Sequence, residues 1–343
     1  MMRRATVKIG MVGLGRMGKR HADNLAKRVD GAELVAGCSP IDEETAWARE
    51  VLGVGATYKE YRELLGHRGL DAVLLATPSV AHADQIVAAL EAGKHVFCEK
   101  PLALDLADCR RVEEAAARYP DRIVMVGFVR RFDPSYCDAH GQIERGGIGR
   151  PFLVRSQTGD QLDPSGFFVR FAPTSGGIFL DCSIHDIDLA RWLLGSPRPR
   201  RVFATGVVAV HEDLAAFGDV DNGVAVVEFA EGRLACFYAS RTLAYGHDTH
   251  TEIIGTAGRL TVGQNPRRNR VEISDTHGVR NVCVTDFYER FKEAFLLEVQ
   301  EFVDCVREGA KPPLTLHDAT EATRIGLALA EAQKSGRIVE LGD

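Results

Sequence analysis

The chain of 343 residues is 45% hydrophobic and 26% charged, enough apolar sequence for two ordinary cores, which excludes global disorder and suggests two domains. Its 42 Lys and Arg stand against 48 Asp and Glu, a net charge of −6 that speaks against a nucleic-acid-binding face. The longest apolar runs, such as AVLLA at 72–76, fall far below the ~20 residues that span a bilayer, so no membrane role is expected.

The start, MMRRATVKIGMVGLG, joins basic residues to an apolar stretch, but Lys8 interrupts it and no A-x-A site comes after it. It reads as a strand rather than a leader, and a cytoplasmic protein is expected. From there strand and helix patterns alternate: strand 7–12, helix 16–27, strand 33–38, helix 43–52, and a short helix near 60–65. Strand 72–77, helix 81–92 and strand 95–99 come next, then a helix from the N-cap Asp105 to about residue 118 and a strand at 122–128. Near-continuous apolar strands separated by single helices predict a doubly wound parallel sheet over residues 1–128.

Beyond residue 128 the rhythm changes. A helix at 136–149 precedes a strand at 152–159, then a loop rich in Pro, Gly and Phe and a helix at 181–194. Strand-like runs without intervening helices then extend from RVFATGVVAV at 201–210 to NVCVTD at 281–286, before helices at 288–308 and 319–335. This predicts an α+β domain over 129–343 with an open, mostly antiparallel sheet, its final helix free to pack back on the first domain. The eight cysteines form no C-x-x-C pair, and most sit in apolar segments, as expected of reduced, buried thiols. His247 with His250 is the nearest approach to a ligand pair and is too weak a signal for a metal, so none is predicted.

Gly13, Gly15 and Gly18 form G-L-G-R-M-G between the first strand and the first helix. There the first glycine permits a tight turn and the second lets the backbone approach a pyrophosphate. The third lets helix and strand pack closely, and the helix N-terminus offers unpaired N–H groups to the anion. In this strand–turn–helix context the motif predicts dinucleotide binding, with Arg16 and Met17 at the start of the helix. The acidic residue expected ~20 residues on, which would hold the adenosine ribose, is replaced by Ser39. Serine leaves room for the 2′-phosphate of NADP, yet no Lys or Arg comes directly after it, and Asp42 and Glu43 would repel a phosphate. The balance leans to NAD, with NADP left open.

Three further segments carry polar residues in telling places. ATPSVAH at 76–82 ends a buried strand, so Thr77, Pro78 and His82 border the crevice where open α/β sheets bind ligands. EKP, with Glu99 and Lys100, ends the next strand. In GGIFLDCSIHDID, Asp181 and His185 are four apart and on a helix would share one face. Taken singly, each has an ordinary explanation: a surface lysine, a helix cap, a core histidine. Together they make a lysine and a carboxylate–histidine pair directed at a nicotinamide.

GLGRMG, ATP with His82, EKP, GFVRRFDP at 127–134 and GG-x3-D-x3-H-D at 176–186 occur in an order that resembles the Gfo/Idh/MocA oxidoreductase family over nearly the whole chain. The likeness is greatest to its inositol dehydrogenase branch. The resemblance implies oxidation of a ring hydroxyl of myo- or scyllo-inositol to a ketone, with Lys100, Asp181 and His185 as the catalytic residues and a cis Lys100–Pro101 peptide. Histidine titrates near neutrality and suits the general base, Asp181 would orient it, and Lys100 would stabilise charge on the reacting oxygen. Arg170, on the loop 160–174, is expected to contact substrate hydroxyls, then Arg131, Tyr245 and His247, with His317 approaching a neighbouring subunit's site. Another sugar substrate is the alternative, and a non-catalytic dinucleotide sensor the least favoured reading. The apolar outer face of the second sheet predicts a homo-oligomer, dimer or tetramer.

Overall fold

In the computed structural model, which describes residues 6–342, the run Val7–Val12 is buried at every position but Lys8 and forms β1. The basic residues at 1–5 that entered the reading of the N-terminus, and residue 343, lie outside the described residues. β1 is central in a sheet with β2 (Ala32–Cys38), β3 (Ala56–Tyr58), β4 (Ala72–Leu75), β5 (His95–Glu99) and β6 (Val124–Gly127). Their order is β3-β2-β1-β4-β5-β6 and every pairing is parallel. Helices α1 (Arg16–Lys27), α2 (Asp42–Leu52), α3 (Tyr61–Leu65), α4 (His82–Glu91) and α5 (Leu106–Arg118) connect the strands. Asp105 caps α5 by accepting from the Asp108 amide at 2.8 Å. This is the doubly wound fold expected, and its strand order reverses between β1 and β4, which opens a crevice at their carboxyl ends. β3 went unpredicted because three residues carry too short a pattern to read.

The second unit is built on a seven-stranded sheet ordered β12-β11-β7-β10-β9-β8-β15. After α6 (Pro134–Glu144) comes β7 (Pro151–Gln161), then α7 (Phe167–Ser175), α8 (Ile178–Asp181) and α9 (Ile184–Leu193). Next in the chain are β8 (Pro199–Val207), β9 (Asn222–Phe229), β10 (Arg233–Leu243), β11 (Asp248–Gly255) and β12 (Gly258–Val262), and β13 (Glu272–Asp275) pairs with β14 (Gly278–Asn281) as a separate hairpin. α10 (Phe287–Glu308), α11 (Leu316–Ser335) and β15 (Val339–Glu340) complete the chain. Only β7 with β10 is parallel, so the sheet is mostly antiparallel as expected.

Two compact units result: residues 6–128 with 293–321, and residues 129–292 with 322–342. The expected second domain was one continuous segment, whereas 293–321 counts with the first unit. Three local expectations also change. The loop 160–174 contains α7, whose Phe167 and Phe171 stack one turn apart at 5.5 Å between left-handed glycines 166 and 176. The helix expected at 181–194 is broken at Cys182 and Ser183, where the Ser183 amide reaches back five residues to Ile178. NVCVTD is not a strand beyond Asn281, because the carbonyls of Val282 and Val284 accept from Arg268 and His247 in loops instead of from a neighbouring strand. Cys137 is exposed and Cys236 and Cys283 are half-buried, so only five of the eight thiols are core groups.

Candidate active site

The glycine loop shows why each glycine is there. Gly13 has φ +81°, and a Cβ on it would lie 2.5 Å from the Ala76 carbonyl oxygen. A Cβ on Gly18 would lie 1.8 Å from the Gly13 carbonyl, so helix and strand meet only without it. At Gly15 the space is open, with Glu44 Oε1, at 3.7 Å, the nearest atom among the described residues outside the glycine's own chain neighbours. Gly15 caps α1 without a side chain, the first turn carries no acid, and exposed Arg16 and half-buried Met17 come next. Uncovered amides at a helix N-terminus beside an open glycine fit a dinucleotide pyrophosphate. Ser39, at the end of β2, is buried; its Oγ donates to Glu44 Oε2 at 2.5 Å and accepts from the Ile41 amide at 3.2 Å.

The turns after β4 and β5 are tied together. Thr77 Oγ1 donates to Gln85 Oε1 at 2.5 Å. Beyond Pro78, buried His82 places Nδ1 2.7 Å from the Pro101 carbonyl and Nε2 3.0 Å from the Thr77 carbonyl. Burial holds its pKa below the ordinary histidine range despite both carbonyls. A neutral ring carries one N–H and donates it to one of these carbonyls, so His82 sits between the two crevice turns with its ring held against both backbones. The Lys100–Pro101 peptide is cis.

Below this turn lies a cluster that sequence reading missed. Glu99 Oε1 meets His21 Nε2 at 2.7 Å, and Glu99 Oε2 accepts the Lys100 amide at 3.2 Å. Glu298 is fully buried within 4.8 Å of both, and neither of its oxygens has a hydrogen-bond partner among the described residues. Burial, reinforced by the Glu99 charge, pushes the Glu298 carboxyl well above the usual range. Burial acts the same way on Glu99, but His21 and Lys100 outweigh it and keep that carboxyl low. The three groups are spaced as metal ligands would be, and the His21 ring packs against Phe97 and Phe295.

A raised folded-state pKa means that Glu298 contributes stability fully present below the unfolded carboxyl range and lost as pH rises toward the folded value. Glu298→Gln removes that titration. Its melting temperature relative to the parent should therefore be higher at about pH 8 than at about pH 5. Melting curves at both pH values check this, and a flat difference would refute it.

In the second unit Asp181 closes α8 and half-buried His185 sits in the first turn of α9. Asp181 Oδ2 is held at 3.3 Å by Nη2 of Arg241, a fully buried residue of β10 whose Nη1 binds Asp219 at 2.7 Å. Asp160, at the end of β7, pairs with Nδ1 of buried His247 at 3.0 Å, while Nε2 of that ring has no partner among the described residues. Cys182 Sγ lies 3.8 Å from both Asp160 and Asp181. The result is a polar basin edged by two carboxylates. Arg241 was the missed signal, a lone charge inside the apolar run ACFYASRT.

The residues just after His185 in α9 position it. Asp186 is fully buried and receives Arg130 Nη1, Ser156 Oγ and Thr158 Oγ1, each at 2.6 Å. Arg131 forks onto Asp188 at 2.6 and 2.8 Å and lies over Trp192. The two arginines of FVRRFDP thus hold the two aspartates of HDID. Arg131, expected at the substrate, is instead a buried structural cation whose planar face and fork are both engaged. Arg170 is exposed and donates to the Ser165 carbonyl at 2.6 Å. Tyr245 is 55% exposed, donates to Asp248 at 2.9 Å, and has its phenol pushed up to about 12 by desolvation and then by Asp248. His317 is exposed in the first turn of α11.

Known proteins resemble this chain over nearly its whole length. Residues 7–128 match the oxidoreductase family model with an NAD-binding Rossmann fold, and residues 140–341 match that family's C-terminal alpha/beta domain. The chain is 39% identical to scyllo-inositol 2-dehydrogenase (NAD(+)) of Bacillus subtilis, covering 98% of this chain and 96% of that one. It is 37% identical to myo-inositol 2-dehydrogenase of Thermotoga maritima over 98% of each. The crystal structure of scyllo-inositol dehydrogenase from Lactobacillus casei with bound cofactor NAD(H) and scyllo-inositol superposes with a TM-score of 0.94 at 38% identity, covering 98% of this chain and 99% of that one.

Proposed function

The chain belongs to the Gfo/Idh/MocA oxidoreductase family, and from that premise we propose that it is an NAD-dependent dehydrogenase that oxidises a secondary ring hydroxyl of an inositol to the ketone. The observation that carries this reading is the full-length likeness to inositol dehydrogenases, with the glycine loop, EKP and the Asp181–His185 pair all present. Relatives named for scyllo- and for myo-inositol both match; the B. subtilis protein and the liganded L. casei structure, both named for the scyllo isomer, favour that isomer first as substrate.

NAD, when bound, accepts hydride from the carbon that bears the hydroxyl. The residues of this chain handle the proton and the charge. His185 removes the hydroxyl proton, and Asp181, itself fixed by Arg241, orients that histidine and supports its charged form. Lys100 donates a hydrogen bond to the reacting oxygen while negative charge develops there. Asp160, His247, Arg170 and Tyr245 supply further polar contacts to ring hydroxyls. Gly13, Gly15, Arg16, Met17 and Gly18 hold the pyrophosphate, with Ser39, Thr77, Pro78 and Glu99 around the dinucleotide. Reduction of NAD should be monitored with scyllo-inositol, myo-inositol, glucose and a panel of rarer aldoses. Highest kcat/KM with an inositol is expected, whereas turnover only with an aldose would replace the substrate and leave the chemistry.

We further propose a cytoplasmic homo-oligomer, dimer or tetramer. No helix among the described residues is long and apolar enough to cross a membrane. On one face of the second sheet Phe203 pairs with Val226 and Val224 with Tyr238, and all four are exposed in the single chain. A partner subunit is the natural cover for such a face. Sedimentation should show a multiple of the chain mass of 37.5 kDa, and a tight monomer would contradict this.

A further inference from the structure

Ser39 leaves the position that usually holds the adenosine ribose without an acid. The structure brings another to that place from a different element. Glu44 lies in the first turn of α2, five residues beyond Ser39. One of its oxygens, Oε2, takes the Ser39 hydroxyl at 2.5 Å, which fixes the carboxylate beside the end of β2. The other, Oε1, lies 3.7 Å from where a Cβ of Gly15 would be, the nearest such atom among the described residues outside the glycine's own chain neighbours, so it overlooks the open part of the phosphate loop. The loop and the end of β2 are joined by the Gly13 amide to the Cys38 carbonyl at 2.9 Å, so acid and loop keep a fixed relation.

The neighbouring charges point the same way. Asp42 is turned aside to Lys59 at 2.7 Å, and Glu43 is exposed. Two cations of adjoining elements are engaged: Arg49 with Thr57, and Lys19 over the Trp47 ring. A 2′-phosphate at this spot would face a held carboxylate with no competing cation among these. A ribose diol would find an acceptor for its hydroxyls.

We infer that Glu44, held by Ser39, is the acid that accepts the adenosine ribose hydroxyls and excludes NADP. This rests on NAD being the cofactor and deepens that reading. Glu44 does the work of the usual acidic residue at the strand end from the next helix, and Ser39 is its positioning partner. A carboxylate that accepts a ribose hydroxyl contributes a charge-assisted bond to binding. The same carboxylate repels a phosphate.

Calorimetric titration of the full chain with NAD and with NADP, without substrate, tests this. The parent should bind NAD at least about 100-fold more tightly than NADP. Glu44→Gln should weaken NAD about tenfold and strengthen NADP, so that the ratio collapses. Ser39→Ala, which removes only the partner, should shift the ratio the same way by less. Circular dichroism melting of both variants separates a binding effect from loss of fold. Tight NAD binding with a ratio unchanged within threefold in a folded Glu44→Gln variant would overturn the role of Glu44 and leave the dehydrogenase reading intact. If the parent binds neither dinucleotide, both fall.

Discussion

Replacing Lys100 by alanine is expected to lower kcat about 10²- to 10³-fold while KM for the polyol and binding of NAD change only a few-fold. The split comes from the chemistry. Oxidation strips a proton from the hydroxyl and a hydride from its carbon, and the oxygen carries most negative charge in the transition state. A donor placed there stabilises that state more than the bound alcohol, so its loss falls on kcat. The turn that carries the lysine is secured independently of its side chain. The Lys100 amide donates to Glu99, the His21–Glu99 pair anchors the strand end, and His82 clamps the Pro101 carbonyl. The truncation should therefore leave the fold alone, and Lys100→Met, which keeps the volume, should match it. Steady-state kinetics with a dinucleotide titration beside them check this; kcat within threefold of the parent would remove Lys100 from the mechanism.

The largest stability effect is expected at Asp186. Asp186→Ala should cost about 3–5 kcal/mol, a substantial fraction of the ~5–15 kcal/mol that stabilises a typical domain. Asp186 is the shared acceptor of Arg130, Ser156 and Thr158, all buried. Removing the acid leaves a guanidinium uncompensated in the core and two hydroxyls without their acceptor. The loss is due to the orphaned partner and not to the attraction itself. A double variant, Arg130→Met with Asp186→Leu, should accordingly recover a large part of the stability. Urea unfolding of the parent, the single variant and the double variant measures this, and a single variant within 1 kcal/mol of the parent would contradict the argument. Because His185 precedes Asp186, any folded single variant should also lose activity.

The first unit was legible because its signals are local. Six glycine-loop residues, the cap Asp105 and apolar strands such as HVFCE each fix their own neighbourhood, and the alternation of strand and helix implies a parallel sheet. The second unit was legible as a class only. Which arginine meets which aspartate depends on β7 and α9 coming together, so Arg131 read as a substrate ligand although it is bound to Asp188. Glu44, Arg241 and Glu298 were missed for the same reason. An acid in a helix, a charge in a strand and a carboxyl in a long amphipathic helix are ordinary in sequence. Only the fold sets the first against Ser39, the second between Asp181 and Asp219, and the third against Glu99. The break between Asp181 and His185 escaped too, because right-handed backbone continues through Cys182 and Ser183 and leaves no glycine or proline to mark it.

The central claim is that a ring C–H of an inositol passes its hydrogen to NAD on this protein. Incubation with scyllo-inositol deuterated at every ring carbon, and then mass spectrometry of the reduced dinucleotide, tests it most directly. The account predicts reduced NAD carrying a single deuterium, formed by the parent and nearly absent with Lys100→Ala. Reduced dinucleotide without deuterium, or none with any inositol despite tight NAD binding, would contradict it.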